Sequence, residues 1–254
     1  MATDLYLVRH GEAVANVEPV IGGVRGDRGL TRRGHEQCRL LEERLEHERM
    51  RADRLVSSTL PRALQTAEYV SRALALPVLH DEELHELRPG EADGLTVDEW
   101  RARYRAGEVP AGTWDPYRVF SPGGESWAMF LARAVEALSG LLVRYRDETV
   151  VVVCHAGIVE ASFALAFGLD GSEKRVDCSP ANTSITQWRH EQSAAGERAW
   201  RLTSFNDARH LRTQAPSASG THDAIPRAGE DRDASQRDAS GGGRPGSQRG
   251  KSSP

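Results

Sequence analysis

The chain has 254 residues, a formal net charge of -4 and three cysteines. This length is enough for one domain with a substantial core, and the near balance of charges gives no reason to expect nucleic acid as a partner. Cys38, Cys154 and Cys178 are far apart without a CxxC pair, which indicates neither a disulfide framework nor a zinc site. Because we find no signal-peptide pattern and no apolar run near the roughly 20 residues that span a bilayer, we expect a cytoplasmic protein without a membrane partner.

The first predicted strand is an apolar run that starts at Leu5 and stops at the RHGE stretch of residues 9–12. An apolar run that ends at a glycine turn is typical of a buried strand whose carboxyl end meets a loop. Beyond a glycine-containing loop, Thr31 is placed to cap a helix over residues 32–50, in which leucines form an apolar stripe among many charges.

Strands and helices are predicted to alternate through the middle of the chain. In order we expect a strand over 54–58, a helix from Pro61 with Thr59 or Leu60 at its cap, a strand over 77–79, an acidic, turn-rich segment over 81–94, a short helix after Thr96, an irregular segment over 107–124 and an amphipathic helix over 126–146.

The strongest strand prediction is the TVVVVC run over residues 149–154. A run of valines without alternation indicates burial on both faces, as in a parallel sheet. An apolar helix is expected to follow as far as Phe167, and two last strands are expected around 184–188 and 198–205. Because strands alternate with helices, we expect a three-layer α/β/α sandwich with a mostly parallel central sheet.

The end of the chain differs from the rest in composition. From about residue 212 it consists largely of Ser, Gly, Pro, Asp and Arg, with almost nothing apolar. Such a segment cannot bury enough surface to offset the entropy lost on ordering. We therefore expect one folded domain over residues 1–211 and a disordered polar tail over 212–254.

Two predicted strands end in the same way, with a histidine directly beyond the strand and a glycine close behind: His10 in the first and His155 in the valine-rich strand. Ligands of open parallel sheets bind beyond the carboxyl ends of the strands, so both imidazoles face one pocket if these strands are neighbours. Arg9 adds a cation there, and Arg62 lies at a helix start, where free N–H groups already favour anions. The set is suited to a dianion such as phosphate.

Two other interpretations of these residues stay open at this level. The first strand end could be polar without having a function. The histidines could bind a metal, although no carboxylate or cysteine lies at ligand spacing and neighbouring arginines would repel a cation. We expect neither a metal nor another cofactor.

The sequence resembles the histidine phosphatase superfamily, also called the phosphoglycerate mutase-like family. Five stretches match its motifs in the family's order: RHGE at 9–12, STLPRALQTA at 58–67, ELRPGEADG at 86–94, PGGES at 122–126 and CHAG at 154–157. The resemblance covers residues from about 4 to 205 and excludes the tail. It implies a phosphoglycerate mutase-like fold and a catalytic function for the domain over 1–211.

The resemblance also implies a role for each matching residue. His10 would be the nucleophile that accepts the phosphoryl group, and Glu86 would be the general acid for the leaving oxygen and then the base for water. The phosphate oxygens would be held by Arg9, Asn16, Arg62, His155 and the backbone N–H of Ala156. Such a set provides in-line positioning and fixed positive charge, which phosphoryl transfer needs most.

Several acidic residues could be confused with the general acid. Glu83 and Glu91 flank Glu86, and the spacing to the glycines of the motif favours Glu86. A carboxylic acid that donates a proton near neutral pH has to be partly buried or close to another carboxylate, such as Glu12. Glu125 and Ser126 of the fourth motif either cap the following helix or contact substrate.

The mouth of the pocket would be shaped by the loop over 19–28 and by the irregular segment over 108–122. Candidate substrate contacts are Gly22, Gly23, Arg25 and Asn182, with Arg28, Trp114 and Tyr117 as further candidates at the mouth.

The chain lacks the lysine-rich insertion and the tyrosine-glycine pattern with which mutases of the family handle phosphoglycerate. The sequence therefore favours a metal-independent phosphomonoesterase that acts on a small phosphorylated metabolite through a phosphohistidine. The alternatives are a cofactor-dependent phosphoglycerate mutase and a non-catalytic protein that binds a phosphorylated ligand. Whether the protein is a monomer or a dimer stays open.

Overall fold

The computed structural model describes residues 2–105, 115–169, 178–192 and 198–212. The strands are β1 (Ala2–Arg9), β2 (Arg54–Ser57), β3 (Val78–His80), β4 (Thr149–Cys154), β5 (Ile185–Gln192) and β6 (Arg198–Asp207). The helices are α1 (Val14–Val17), α2 (Arg32–His47), α3 (Pro61–Leu74), α4 (Val97–Tyr104), α5 (Trp127–Arg144) and α6 (Ala156–Phe167). Short 3-10 turns cover Glu82–Leu84, Gly90–Ala92 and Arg209–Leu211.

The strands form one sheet in the order β3-β2-β4-β1-β5-β6. β1 pairs in parallel with β4, so that Arg9 lies opposite Cys154, and β4, β2 and β3 are parallel to one another as well. β5 pairs antiparallel with β1, and β6 pairs antiparallel with β5 and is the strand at one edge of the sheet. The two histidine-bearing strands, β1 and β4, are neighbours, which meets the condition under which both imidazoles face one pocket, and the sheet is mostly parallel.

The valines of β4 are buried on both faces of the sheet, as their unbroken run predicts. Val151 packs in one cluster with residues of α2 and α3, such as Leu41. Val152 packs in the other cluster with residues of α5 and α6, such as Ile158. Successive side chains of a strand point to opposite faces, so the sheet has a helical layer on each side. The predicted three-layer α/β/α sandwich is confirmed.

Most helix starts follow the predicted chemistry. Thr31 caps α2, Ser126 caps α5 and Pro61 occupies the first turn of α3. The cap of α3 is Leu60, one of the two candidates. α2 ends at His47, three residues before the predicted end, and the left-handed φ of 50° at Arg49 is incompatible with continuing the helix.

Some predictions fall on residues about which nothing structural is stated. The tail beyond residue 212 and the mouth candidate Trp114 lie outside the described residues. Within the described ranges, no helix combines the length and the apolar character that crossing a membrane requires.

Candidate active site

His10 and His155 lie side by side at the carboxyl edge of the sheet. The backbone N–H of His10 donates to the carbonyl of Cys154 over 3.0 Å, which continues the pairing of β1 and β4 by one step. The two imidazole rings are fully buried and their centroids are 5.2 Å apart. The structure thus brings the two motif histidines into one site, as the strand-end argument predicts.

The partners of the His10 ring identify its tautomer. Nδ1 lies 2.7 Å from the carbonyl oxygen of Gly11, and Nε2 lies 3.2 Å from Nε of Arg62. A carbonyl can only accept a hydrogen bond and a guanidinium can only donate one. The proton of the neutral ring is therefore on Nδ1, and the lone pair is on Nε2, directed toward Arg62. Nε2 is the atom that can attack an electrophile.

The guanidinium of Arg62 is held in place by a buried carboxylate. Nη1 donates to Oδ2 of Asp27 over 2.8 Å and to the carbonyl of Gly22 over 3.0 Å. The side chain of Asp27 is 0% exposed, and its other oxygen accepts from the backbone N–H of Gly29 over 2.8 Å. Asp27 therefore orients Arg62 toward His10. The sequence analysis did not find Asp27, because an acid between two loop glycines usually faces water.

Replacing Asp27 by asparagine should lower kcat/KM for a phosphate ester by about 10- to 100-fold, because the guanidinium loses the charged partner that orients it. Steady-state hydrolysis measures this change. Asp98→Asn is the matched control, since the Asp98 side chain is 93% exposed on α4, and it should leave kcat/KM unchanged. A full-rate Asp27→Asn enzyme would show that Arg62 is oriented without Asp27.

Arg9 and Asn16 are the two remaining side chains that are predicted to contact phosphate. Arg9 is buried, and its Nη1 donates to the carbonyl of Pro180. Asn16 is buried as well, and its Oδ1 accepts from the backbone N–H of Ala13 over 2.8 Å and from Asn182 over 3.4 Å. These contacts fix the acceptor end of the Asn16 amide and so determine which end can donate to an anion.

The turn before β5 binds the main chain of Arg9 and His10. Nδ2 of Asn182 donates to the carbonyl of His10 over 3.0 Å, and the backbone N–H of Thr183 donates to the carbonyl of Arg9 over 2.9 Å. Thr183 adopts a left-handed φ of 57° in this turn. Asn182, which the sequence predicts to contact substrate, thus binds the backbone carbonyl of His10.

Glu86 reaches the site from the turn-rich segment before α4. Its Oε2 accepts from the backbone N–H of Gly157 over 3.0 Å, at the start of α6, and its Oε1 accepts from the N–H of Leu87 over 3.0 Å. A side chain at Gly157 would overlap the Glu86 carboxylate and the ring of Phe130. Position 157, the last of the CHAG motif, therefore requires a glycine because the Glu86 carboxylate lies so close to its backbone.

The other candidate carboxylates have different partners. Glu83 is exposed and pairs with Arg88 over 3.0 Å, and Glu91 is exposed and accepts from Tyr104 over 3.1 Å. Glu12 accepts from Thr31 over 2.7 Å and from Arg33 over 3.3 Å. Glu86 itself is half-buried and contacts the start of α6, two residues after His155.

Glu125 and Ser126 of the fourth motif have different roles: the predicted cap is confirmed for Ser126, whereas Glu125 has another partner. Ser126 caps α5 by accepting from the N–H of Met129, so Glu125 is not the cap. The Glu125 carboxylate binds Arg133 over 2.7 Å and accepts from the backbone N–H of Arg88 over 2.8 Å. Glu125 is thus an internal contact of the protein that the sequence analysis did not foresee.

The second motif supplies a further contact at His155, whose Nε2 lies 2.8 Å from Oγ of Ser58. Ser58 follows directly after β2, so three adjacent strands contribute to the site. Ala156 is the first residue of α6, where a helix has backbone N–H groups without an acceptor in the helix. An anion near His155 would therefore meet a donor from Ala156.

The loop with the predicted substrate contacts is shaped by one carboxylate. Oδ1 of Asp93 accepts from the N–H groups of Gly23 and Gly26, both over 2.9 Å, and Oδ2 accepts from the N–H of Arg25 over 2.8 Å. The Arg25 guanidinium is exposed and 3.8 Å from the same carboxylate. Gly22 contributes its carbonyl to Arg62, which links this loop to the site.

Burial changes the acidity of several groups around the site. Burial raises the pKa of the Cys154 thiol far above its ordinary value, and Cys154 packs in the apolar core. Burial, with the charges of Arg88 and Arg133, lowers the pKa of His85, whose Nε2 lies 2.6 Å from Oγ1 of Thr59. In the described part of the chain, no three His, Cys, Asp or Glu side chains cluster so as to hold a metal ion.

The chain matches a family model described as the histidine phosphatase superfamily (branch 1) over residues 5–207. A 2,3-bisphosphoglycerate-dependent phosphoglycerate mutase of Brucella canis is 33% identical over 177 residues, which cover 67% of this chain and 83% of the mutase. A 6-phosphofructo-2-kinase/fructose-2,6-bisphosphatase of Gallus gallus is 31% identical over 172 residues, which cover 68% of this chain. The match covers 34% of that protein, so the chain spans about a third of its length.

Solved structures of phosphatases have a fold similar to that of this chain. A mycobacterial glucosyl-3-phosphoglycerate phosphatase, solved with VO3, is 26% identical to this chain with a TM-score of 0.62. The match covers 80% of this chain and 99% of that one.

Proposed function

This chain belongs to the histidine phosphatase superfamily, and we propose that it is a metal-independent phosphomonoesterase that acts through a phosphohistidine on His10. The observation that carries the proposal is the geometry of the His10 ring. Its unprotonated Nε2 is directed toward Arg62, with the ring of His155 5.2 Å away. A nucleophile surrounded by donors for an anion is the arrangement that phosphoryl transfer requires.

In the first step, the phosphate group of the ester would take over the N–H donors of Arg62 as well as those of Arg9. Once Nε of Arg62 donates to a phosphate oxygen, the lone pair on His10 Nε2 can attack phosphorus. The N–P bond forms as the bond to the ester oxygen breaks, and protonated Glu86 gives its proton to that oxygen. The hydrogen bond from Nδ1 to the Gly11 carbonyl stabilises the positive charge on the phosphorylated ring.

In the second step, water would replace the departed alcohol. The Glu86 carboxylate takes a proton from this water, the water oxygen attacks phosphorus and the N–P bond breaks. Inorganic phosphate leaves, His10 returns to the neutral form and Glu86 is again protonated. The same carboxyl group would serve both steps, because the water takes the place of the departed alcohol.

Phosphatase activity on a small metabolite is the first candidate, and mutase activity is the second. A phosphatase is supported by the missing lysine-rich insertion and by similarity to a glucosyl-3-phosphoglycerate phosphatase over nearly its whole length. The Brucella canis mutase, of which 83% is matched, supports the second candidate. The presence of every residue expected for catalysis, Glu86 included, argues against a protein that only binds phosphorylated ligands.

The test is a screen of phosphorylated metabolites in the presence of a chelator, with released inorganic phosphate as the readout. We expect at least one phosphomonoester to be hydrolysed, and hydrolysis to persist with the chelator. A coupled assay with 3-phosphoglycerate, with and without 2,3-bisphosphoglycerate, tests the mutase. Isomerisation that depends on the bisphosphate, without net phosphate release, would contradict the phosphatase proposal.

A further inference from the structure

Glu86 lies in a segment with little regular structure, between the short 3-10 turns Glu82–Leu84 and Gly90–Ala92. Such a segment cannot position a side chain through its own hydrogen bonds, so other elements have to support it. The support comes from a buried ion pair between Glu125, just before α5, and Arg133 within α5. Their side chains are 10% and 9% exposed, respectively.

The two side chains form a planar, two-point contact. Nε of Arg133 donates to Oε1 of Glu125 over 2.7 Å, and Nη2 donates to Oε2 over 2.8 Å. This geometry uses the fork of the guanidinium, which a lysine cannot reproduce. The pair therefore holds the Arg133 guanidinium in one orientation.

In that orientation, Arg133 binds the main chain around Glu86. Its Nη1 donates to the carbonyl of Glu83 over 2.6 Å and to that of His85 over 3.0 Å. Its Nη2 donates to the carbonyl of Glu86 itself over 3.3 Å. One guanidinium thus binds three carbonyls, two on the N-terminal side of Glu86 and the third that of Glu86 itself.

Glu125 binds the main chain on the C-terminal side. Its Oε2 accepts from the N–H of Arg88 over 2.8 Å, and its own backbone N–H donates to the carbonyl of Arg88 over 2.8 Å. The ion pair therefore binds the main chain from residue 83 to residue 88. The carboxylate of Glu86 is bound separately, by the backbone N–H of Gly157.

We propose that the Glu125–Arg133 pair is a positioning device for the general acid, which sets where the Glu86 carboxyl group meets the leaving oxygen. This inference rests on the proposed function. A misplacement of about 1 Å at a reacting group can cost about 100-fold in rate. Loss of the pair should therefore weaken proton donation while leaving the phosphate contacts of Arg9 and Arg62 intact.

This role differs from a purely structural one in how it depends on the leaving group. An alkoxide such as that of benzyl phosphate needs a proton to depart, whereas p-nitrophenolate departs without one. Defective proton donation slows the first ester and spares the second, but general damage to the fold slows both. kcat/KM is the appropriate readout because it reports the steps up to phosphorylation of His10.

The test compares Arg133→Lys with the wild type on benzyl phosphate and p-nitrophenyl phosphate. We expect kcat/KM for benzyl phosphate to fall by about 10- to 100-fold, with less than about a threefold change for p-nitrophenyl phosphate and for inhibition by vanadate. Arg144→Lys is the matched control on the same helix, where Arg144 is exposed, and it should change neither ester. Glu125→Gln, which removes the charge and keeps the shape, should repeat the pattern of Arg133→Lys.

Glu86→Gln provides the reference, because it should show the same selectivity with a larger amplitude. Equal losses on both esters in Arg133→Lys and Glu125→Gln, or no loss in either, would overturn the positioning role while Glu86→Gln remained selective. A wild type that hydrolyses neither ester, or a Glu86→Gln variant without selectivity, would instead overturn the proposed function and this inference with it.

Discussion

Replacing His10 by alanine should lower kcat for phosphomonoester hydrolysis by roughly 10⁵-fold, the largest effect that we expect from a single substitution. The variant loses the atom that forms the N–P bond, so only direct attack by water remains. The donors of Arg9, Arg62 and His155 stay in place and should still catalyse this slow route to a small extent. Released phosphate, measured at saturating ester, is the readout.

Binding should survive this substitution. Arg62 donates to His10 Nε2 in the free enzyme, and without that acceptor its Nε–H is available to an anion. Inorganic phosphate should therefore bind His10→Ala at least as strongly as the wild type. His47→Ala, at an exposed position near the end of α2, is the matched control and should retain full activity. A His10→Ala enzyme within about tenfold of the wild-type kcat would exclude His10 as the nucleophile.

Replacing Glu86 by glutamine should lower kcat/KM for alkyl phosphates by about 10²- to 10⁴-fold, the range of general acid catalysis. Glutamine keeps the shape and can still accept from the N–H of Gly157, so the site should remain assembled. It cannot give a proton to the leaving oxygen or take one from water. Both chemical steps lose their proton carrier, and steady-state hydrolysis of benzyl phosphate measures the first loss.

The loss of proton transfer in the second step, hydrolysis of the phosphohistidine, can be measured separately with p-nitrophenyl phosphate. Phosphorylation of His10 remains fast with this ester, but in Glu86→Gln the phosphohistidine is hydrolysed slowly, because no general base activates the water. We expect a burst of p-nitrophenol that matches the enzyme concentration, followed by a slow steady state, in rapid-mixing absorbance traces. Glu83→Gln is the control, since Glu83 is exposed and pairs with Arg88, and it should behave like the wild type. A Glu86→Gln enzyme with wild-type rates on both esters would assign proton transfer to another group.

The part of the site that the sequence predicts well lies at strand ends. His10 and His155 each follow a strongly apolar strand, and the carboxyl ends of parallel strands meet at one edge. Burial of β4 on both faces follows from its valines alone. Local pattern and a general rule of sheet topology therefore place each imidazole at the carboxyl edge, and the strand order seen in the structure makes the two neighbours.

The residues that the sequence does not predict are those whose role depends on a distant partner. Asp27 and Asp93 lie in glycine-containing loops, where most acids face water, yet Asp27 is buried against Arg62 and Asp93 organises the loop around Gly23. Arg133 lies on an amphipathic helix, where an arginine normally faces solvent. Its contacts with the carbonyls of Glu83, His85 and Glu86 require the packing of α5 against that distant segment, which no local pattern encodes.

Identification of the phosphorylated atom tests the central claim most directly. Wild-type protein and Glu86→Gln are mixed with p-nitrophenyl phosphate, quenched in alkali to preserve a phosphorylated imidazole, and analysed by mass spectrometry and by NMR of the ring. We expect one phosphoryl group on His10, attached through Nε2, which accumulates in Glu86→Gln and is absent from His10→Ala. Ester turnover with His10 never phosphorylated, or phosphorylated on Nδ1, would contradict attack by the lone pair that faces Arg62.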